Sequence, residues 1–214
     1  MTQDDINKIY RDLPLTNIPW IYDTPPAILI ELVNKQIVKP CRTIDLGCGI
    51  GNYSIYLATK GFTVTGIDIS SVAIEIAKKN AKEKNAICKF FVADLLGDLG
   101  DVGYDYEFVY DWELLHHIAP EKRRIYVKNV YNLLKPNGRY ISVSFCEKDP
   151  YFGGQGKIRK TPIGTTLYFS SEIELKELFE PYFEIDELKT IQIRGKPTPH
   201  LAIYAFMRRK KENL

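Results

Sequence analysis

Thr43-Ile44-Asp45-Leu46-Gly47-Cys48-Gly49-Ile50-Gly51-Asn52 decides how this chain is read. An apolar run closes on an acid, three glycines follow at alternate positions, and an amphipathic segment comes next. That order describes a strand, a tight turn and the start of a helix. Glycine suits the turn because the backbone must bend sharply and let a ligand lie against it with no Cβ in the way. Three glycines alone are weak evidence; carboxylates at the ends of the neighbouring strands give them weight.

Downstream the same alternation continues. A helix over 53–60 is closed by Gly61. A strand over Thr63–Asp68 leads to Ser70, the N-cap expected for a helix over 71–84. A strand over Cys88–Val92 runs into Asp94, and a strand over 106–110 ends at Asp111. A helix from about 121 to 134 is stopped by Lys135-Pro136-Asn137-Gly138, and a strand over 139–145 follows. The pattern predicts an α/β fold, Rossmann-like and doubly wound, with right-handed crossovers. Late strands over 183–190 and 200–207, joined through Arg194-Gly195-Lys196-Pro197, are placed to pair as an antiparallel hairpin. A seven-stranded, mostly parallel sheet is therefore expected. A helix over 171–180 carries Ser170 or Ser171 as its cap.

Upstream, Ile6, Ile9, Tyr10 and Leu13 share one face of a helix over 4–13 that Pro14 ends. Residues 15–26 hold Pro19, Pro25, Pro26, Trp20 and Tyr22, and read as an irregular arm, either an aromatic plug on the sheet or a lid over a ligand. A Pro26-led helix reaches to about residue 39. The expected organisation is 1–40 as N-terminal helices and an arm covering the site, and 41–214 as a single domain with a substrate-side insertion at 146–169 around Gly153-Gly154-Gln155-Gly156.

The chain has 214 residues, 45% hydrophobic and 26% charged, which fits a folded domain and argues against disorder. A net charge of +2 neither demands nor excludes nucleic acid; a nucleic-acid partner is not expected, because binders usually show a stronger basic stripe than Lys157-Ile158-Arg159-Lys160 and Arg208-Arg209-Lys210-Lys211 provide. Cys41, Cys48, Cys88 and Cys146 form no Cys-x-x-Cys pair and read as reduced thiols of a cytoplasmic protein. The polar start and the lack of an apolar run near the roughly 18 residues a membrane span requires point the same way.

In an open α/β sheet, ligands bind beyond the carboxyl ends of the strands. Asp45, Asp68, Asp94 and Asp111 stand at those ends. Asp68, at the end of the second strand, suits ribose hydroxyls, because a carboxylate accepts two hydrogen bonds at once. Asp94 suits an exocyclic amino group of a base. Asp45 suits an ammonium and would repel a pyrophosphate, which speaks against a dinucleotide-dependent oxidoreductase.

Asp-Leu-Gly-Cys-Gly-Ile-Gly at 45–51, Gly-Ile-Asp-Ile-Ser at 66–70, Ala-Asp-Leu at 93–95, the stretch 111–117 and Leu-Leu-Lys-Pro-Asn-Gly at 133–138 resemble the successive motifs of class I S-adenosylmethionine-dependent methyltransferases. Pro19-Trp20-Ile21-Tyr22-Asp23 is more narrowly similar to small-molecule members of thiopurine- and tellurite-resistance type. The resemblance implies S-adenosyl-L-methionine as cofactor, S-adenosyl-L-homocysteine as product and no metal. It implies cofactor contacts at Asp45, Gly47, Cys48, Gly49, Gly51, Asn52, Asp68, Ile69, Asp94, Leu95, Asp111 and Trp112. It further implies a small-molecule acceptor and a monomer or homodimer; an RNA or protein methyltransferase and a cofactor-binding pseudo-enzyme are the alternatives.

An amine or hydroxyl acceptor needs a base, whereas a thiol or halide needs little beyond positioning. Glu113 and His116 are the catalytic candidates, with His117 beside them. Adjacent histidines on a helix face different ways, so a two-histidine metal site is not expected. A ring bonded to a loop carbonyl is the plainer role for His116. Trp20, Tyr22, Phe145, Tyr151 and Tyr168 are the candidate aromatic wall for the acceptor.

Overall fold

The computed structural model describes residues 2–152, 156–196 and 198–211; Gly153, Gly154 and Gln155 of the expected insertion and Pro197 of the expected turn lie outside them. The strands are β1 (Arg42–Leu46), β2 (Thr63–Asp68), β3 (Cys88–Val92), β4 (Tyr106–Trp112), β5 (Leu134–Phe145), β6 (Ile158–Lys160), β7 (Thr166–Tyr168), β8 (Phe183–Ile193) and β9 (His200–Arg209). The helices are α1 (Gln3–Asp12), α2 (Ala27–Asn34), α3 (Asn52–Thr59), α4 (Ser71–Glu83), α5 (Arg123–Leu133) and α6 (Glu172–Phe179). One sheet has the order β3-β2-β1-β4-β5-β9-β8. Its first five strands are parallel, and β9 runs against both β5 and β8. The mostly parallel doubly wound sheet with an antiparallel end is as the sequence predicts. Winding reverses between β1 and β4, which opens a crevice beyond their carboxyl ends.

Two apolar layers follow from strand alternation. Ile44, Leu46 and Val109 pack with Tyr126, Val130 and Leu133 of α5 and Phe179 of α6. Val64, Phe108, Tyr110 and Val143 pack on the opposite face with Leu29 and Leu32 of α2 and Leu57 of α3. Ser70 caps α4 by accepting from the Ala73 N–H (3.1 Å). Gly66 of β2 is a close-approach glycine: it pairs with Phe90, and a Cβ there would lie 2.7 Å from the Phe90 ring.

Several boundaries differ from expectation. α2 stops at Asn34, because Gln36 turns left-handed (φ 56°) and the Ile37 and Val38 N–H groups fold back onto the Leu32 carbonyl. Lys135-Pro136-Asn137-Gly138 ends α5 but does not interrupt the next strand. It sits inside β5 as an irregularity, with Asn137 at φ 61° and the register shifting between Tyr106 and Phe108. Ser171, not Ser170, caps α6 by accepting from the Glu174 N–H (3.2 Å). Ser170 instead accepts from Arg123 Nη1 (2.7 Å).

The basic segments are spent internally. Arg159, 3% exposed, donates to the carbonyls of Asp149 (2.6 Å), Glu147 (2.7 Å), Tyr151 (2.8 Å) and Gly156 (2.9 Å). Lys157 pairs with Glu147 and Glu174. The last basic run starts inside the sheet: Arg208 and Arg209 belong to β9, where Arg208 pairs with Glu184 and Asp186 and Arg209 lies over the Tyr131 ring.

The arm between α1 and α2 is tied to the turn after β8. Arg194 donates to the Thr24 hydroxyl (2.8 Å), the Thr24 carbonyl and the Tyr53 hydroxyl (3.0 Å), with its guanidinium 4.0 Å from the centre of the Tyr22 ring. Lys196 Nζ donates to the carbonyls of Thr16 (3.1 Å), Ile18 (3.3 Å) and Ile21 (2.9 Å). Charged donors to carbonyls are each worth about 1.5–3 kcal/mol. The double variant Arg194→Ala/Lys196→Ala is therefore expected to be cut within residues 14–26 about tenfold faster in limited proteolysis, with the sheet core uncut. Gly66→Ala is expected to cost about 1–3 kcal/mol in urea unfolding, because the Phe90 ring has no room to withdraw.

Candidate active site

A cavity of about 260 Å³ opens beyond the carboxyl ends of β1, β2 and β4. Its floor is the glycine turn. The Gly47 and Cys48 N–H groups both donate to the Ile67 carbonyl (2.8 and 2.9 Å). The Gly49 N–H donates to Asp68 Oδ2 (2.9 Å), and the Ser70 N–H to Asp68 Oδ1 (2.8 Å). Gly51 adopts φ 79° at the start of α3, a conformation that favours glycine, and a Cβ there would press on Phe90 and Ala77.

Asp45, Asp68 and Asp94 reach this cavity, together with Gly47, Cys48, Gly49, Asn52, Ile69, Leu95 and Trp112. Asp45 accepts from the Ser54 hydroxyl (2.6 Å), and burial pushes its carboxyl up to about 7 against that hydrogen bond. Burial likewise raises Asp68, opposed by the loop amides it accepts. Asp94 is exposed and caps its own turn by accepting from the Leu96 N–H (2.9 Å). Gly51 lies behind the cavity wall and acts through the turn.

Asp111 is a correction. It is fully buried on the α5 side of the sheet and accepts from Tyr126 (2.9 Å), Tyr140 (2.5 Å) and Ser142 (3.1 Å) hydroxyls. Parallel pairing sets Leu46, not Asp45, opposite Asp111, so the two acids point to opposite faces. Burial lifts its carboxyl to about 6 even with three hydroxyl donors.

His116 is a second correction. It is 2% exposed, stacks on Phe145 (centroids 4.1 Å, planes 1° apart), accepts the Phe145 N–H at Nδ1 (3.3 Å) and does not line the cavity. The 3₁₀ turn Leu115–His117 instead aims His117 inward, edge-on to Trp20 (5.8 Å). Burial lowers His117 to about 4, and its Nδ1 has no partner among the described residues.

Glu113 does line the cavity. It has φ 66°, and its N–H donates to the Val143 carbonyl (2.8 Å). Burial raises its carboxyl to about 8, with Arg194 pulling the other way.

Of the expected aromatic wall, Trp20 and Tyr22 reach the cavity; Trp20 Nε1 donates to the Tyr10 hydroxyl (2.9 Å), and Asn52 Nδ2 holds the Tyr22 carbonyl (2.8 Å). The other three do not. Phe145 is sandwiched between His116 and Phe169, and Tyr168 bonds Glu174 (2.7 Å) beneath the Arg123 guanidinium. Tyr151 borders a separate shallow hollow with Lys160 and His200. Asp149 accepts the Leu201 N–H (2.6 Å) and ties this segment to β9; none of the described residues of 146–169 lines the cavity, although Ile163 packs on the cluster of Tyr10 and Ile50 beside it. Tyr53 on α3 completes the wall; one residue past Asn52, it carried no motif signal of its own. Among the described residues, no three His, Cys, Asp or Glu side chains converge as metal ligands, and no helix is long and apolar enough to cross a membrane.

A family profile described as a methyltransferase domain matches residues 44–138. The chain is 27% identical over 180 residues to 2-heptyl-1-hydroxyquinolin-4(1H)-one methyltransferase of Mycobacteroides abscessus, covering 82% of this chain and 72% of that one. It spans 55–62% of the length of three further curated relatives. Among solved structures, it superposes at TM-score 0.83 and 23% identity on one described as converting a disulfide bond into a thioacetal group during echinomycin biosynthesis, covering 99% of this chain and 93% of that one. It superposes at TM-score 0.74 and 18% identity on the Burkholderia thailandensis 1,6-didemethyltoxoflavin-N1-methyltransferase, solved with 1,6-didemethyltoxoflavin and S-adenosylhomocysteine, covering 98% and 87%. Residues 44–138 thus match a methyltransferase domain, and the motif order, the sheet topology and the acid-lined glycine turn resemble those of class I S-adenosylmethionine-dependent methyltransferases.

Proposed function

We propose that this chain transfers a methyl group from S-adenosyl-L-methionine to a small-molecule nucleophile. One observation carries the reading. Asp45, Asp68 and Glu113 converge on one cavity in which Lys122, itself exposed, is the one Lys or Arg among the described wall residues. Such a site favours a cation, and the cofactor brings both an ammonium and a sulfonium.

The chain's residues divide the work. Asp68 holds the glycine turn with its two loop amides and keeps lone pairs free for ribose hydroxyls. Ile69 and Leu95 flank the base, and Asp94 takes its amino group. The turn from Gly47 to Asn52 lies along the amino-acid tail, with Asp45 as its counter-charge and Trp112 at its edge. When bound, the cofactor supplies a methyl carbon made electrophilic by its sulfonium; positioning and exclusion of water fall to the protein. The arm places Trp20 and Tyr22 in the cavity wall, and an aromatic wall of this kind suits a small, largely apolar acceptor. Two of the relatives described above are named for small heteroaromatic acceptors. An acceptor with the bulk of RNA finds Arg159 and Lys157 already engaged.

Cofactor labelled on its methyl group, incubated with the protein and a size-divided cell extract, is expected to deliver label to the small-molecule fraction; label confined to RNA or protein would sink the reading. Asp68→Ala is expected to weaken cofactor binding about ten- to hundredfold by calorimetry. Binding should also depend on pH with a definite sign. Asp45 and Glu113 ionise in the free protein near pH 7 and pH 8, and a cation binds their ionised forms. Affinity for S-adenosylmethionine is therefore expected to rise between pH 6 and pH 8, and more steeply than for S-adenosylhomocysteine, which lacks the sulfonium.

A further inference from the structure

Glu113 stands out from every other acid of the cavity by its backbone. In β4, Asp111 faces the α5 layer and Trp112 faces the opposite side; a continued strand would return residue 113 to the side of Asp111. The left-handed conformation at Glu113 breaks that alternation and sets its carboxylate in the cavity instead. A long, non-glycine side chain held at positive φ is strained, and such strain persists where the surroundings enforce it. Here the Val143 carbonyl fixes the turn.

The carboxylate has no hydrogen-bond or ion-pair partner among the described residues, whereas Asp45 and Asp68 each accept from the fold. The groups facing it are Tyr22 of the arm, Tyr53 of α3, and Arg194 of the turn after β8; His117 and Asp45 share its cavity. Arg194 is engaged with Thr24, Tyr53 and the Tyr22 ring. Burial keeps His117 neutral and weakly basic, and pushes the Tyr22 hydroxyl up to about 12, so neither takes a proton readily near neutral pH. The cavity that Glu113 lines also carries the rings of Trp20, Tyr22, Tyr53, Trp112 and His117 in its wall.

We propose that Glu113 accepts the proton of the acceptor, so that the molecule methylated is a flat, largely apolar one bearing an N–H or O–H nucleophile. The proposal rests on the methyl-transfer reading above. In the step, the acceptor nitrogen or oxygen forms a bond to the methyl carbon. The carbon–sulfur bond breaks with its electron pair going to sulfur, and the acceptor's proton passes to the Glu113 carboxylate and then to solvent. No oxidant or metal enters the balance. A carboxyl that ionises near pH 8 is a stronger base than an ordinary glutamate, which matches it to a weakly acidic N–H or O–H.

The test incubates methyl-labelled cofactor and the small-molecule fraction of a cell extract with the wild-type protein, Glu113→Gln and Glu113→Asp between pH 6 and pH 10. Wild-type transfer is expected to rise with pH and level off above about pH 8. With S-adenosylmethionine held saturating for each protein at every pH, Glu113→Gln is expected to lower transfer about hundredfold and to lose that rise, while binding S-adenosylhomocysteine, which brings no sulfonium, within about threefold of wild type. Glu113→Asp is expected to keep transfer within about tenfold of wild type, with a displaced midpoint. Transfer by Glu113→Gln within about threefold of wild type, at any pH, overturns the role of Glu113. If Glu113→Gln fails to bind S-adenosylhomocysteine, the Glu113→Asp profile decides: a displaced midpoint supports the role and an unmoved one overturns it. Absence of label from small molecules with wild-type protein sinks the methyl-transfer reading itself.

Discussion

The Asp68 carboxylate ties the glycine turn to the end of β2. Its two oxygens take the Gly49 and Ser70 N–H groups, while the Ile67 carbonyl takes those of Gly47 and Cys48. A turn of this kind has little side-chain packing to hold it, and its buried amides need partners. Three of them, from Gly47, Cys48 and Gly49, end on two consecutive residues of β2, and the Ser70 N–H joins them there. The ends of β1 and β2 are thereby fixed relative to each other, and the start of α4 is fixed with them. The cost of burying a carboxylate is offset by amide donors that no other group nearby offers.

Much of this was legible in the sequence because it is local. The glycine turn, the Ser70 cap and the order of strands and helices follow from neighbours within a few residues. What failed was register and facing. A strand end can be read from composition, but a one-residue offset between β1 and β4 sends Asp45 to the cavity and Asp111 to a cluster of tyrosine hydroxyls. The same holds for the two histidines, where a 3₁₀ turn rather than an α-helix decides which ring faces inward. Glu113 was named from its position after β4, but the left-handed turn that directs its carboxylate leaves no mark in composition.

The partners of the basic residues were hidden as well. A run of Lys and Arg suggests a surface waiting for an anion, yet Arg159 and Lys196 spend their donors on backbone carbonyls. Irregular segments expose carbonyls that no ladder satisfies, and a guanidinium or ammonium can gather several of them at once. Such cations work as rivets for loops. Their partners lie far along the chain, as with Lys196 and Thr16, so a local reading has no access to them.

The contacts of Arg194 and Lys196 with the arm join positions some 170 to 180 residues apart. During synthesis, α1 and the arm emerge long before the turn that clamps them. The central parallel strands can pair before that turn exists, but the arm has only its contacts with α1, Asn52 and the Ile50–Ala73 cluster until β8 and β9 have zipped together. Ring closure over so long a stretch is entropically slow. The ligand crevice is thus the last part of the fold to be completed, and a nascent chain carries it open to solvent until its C-terminal hairpin is in place.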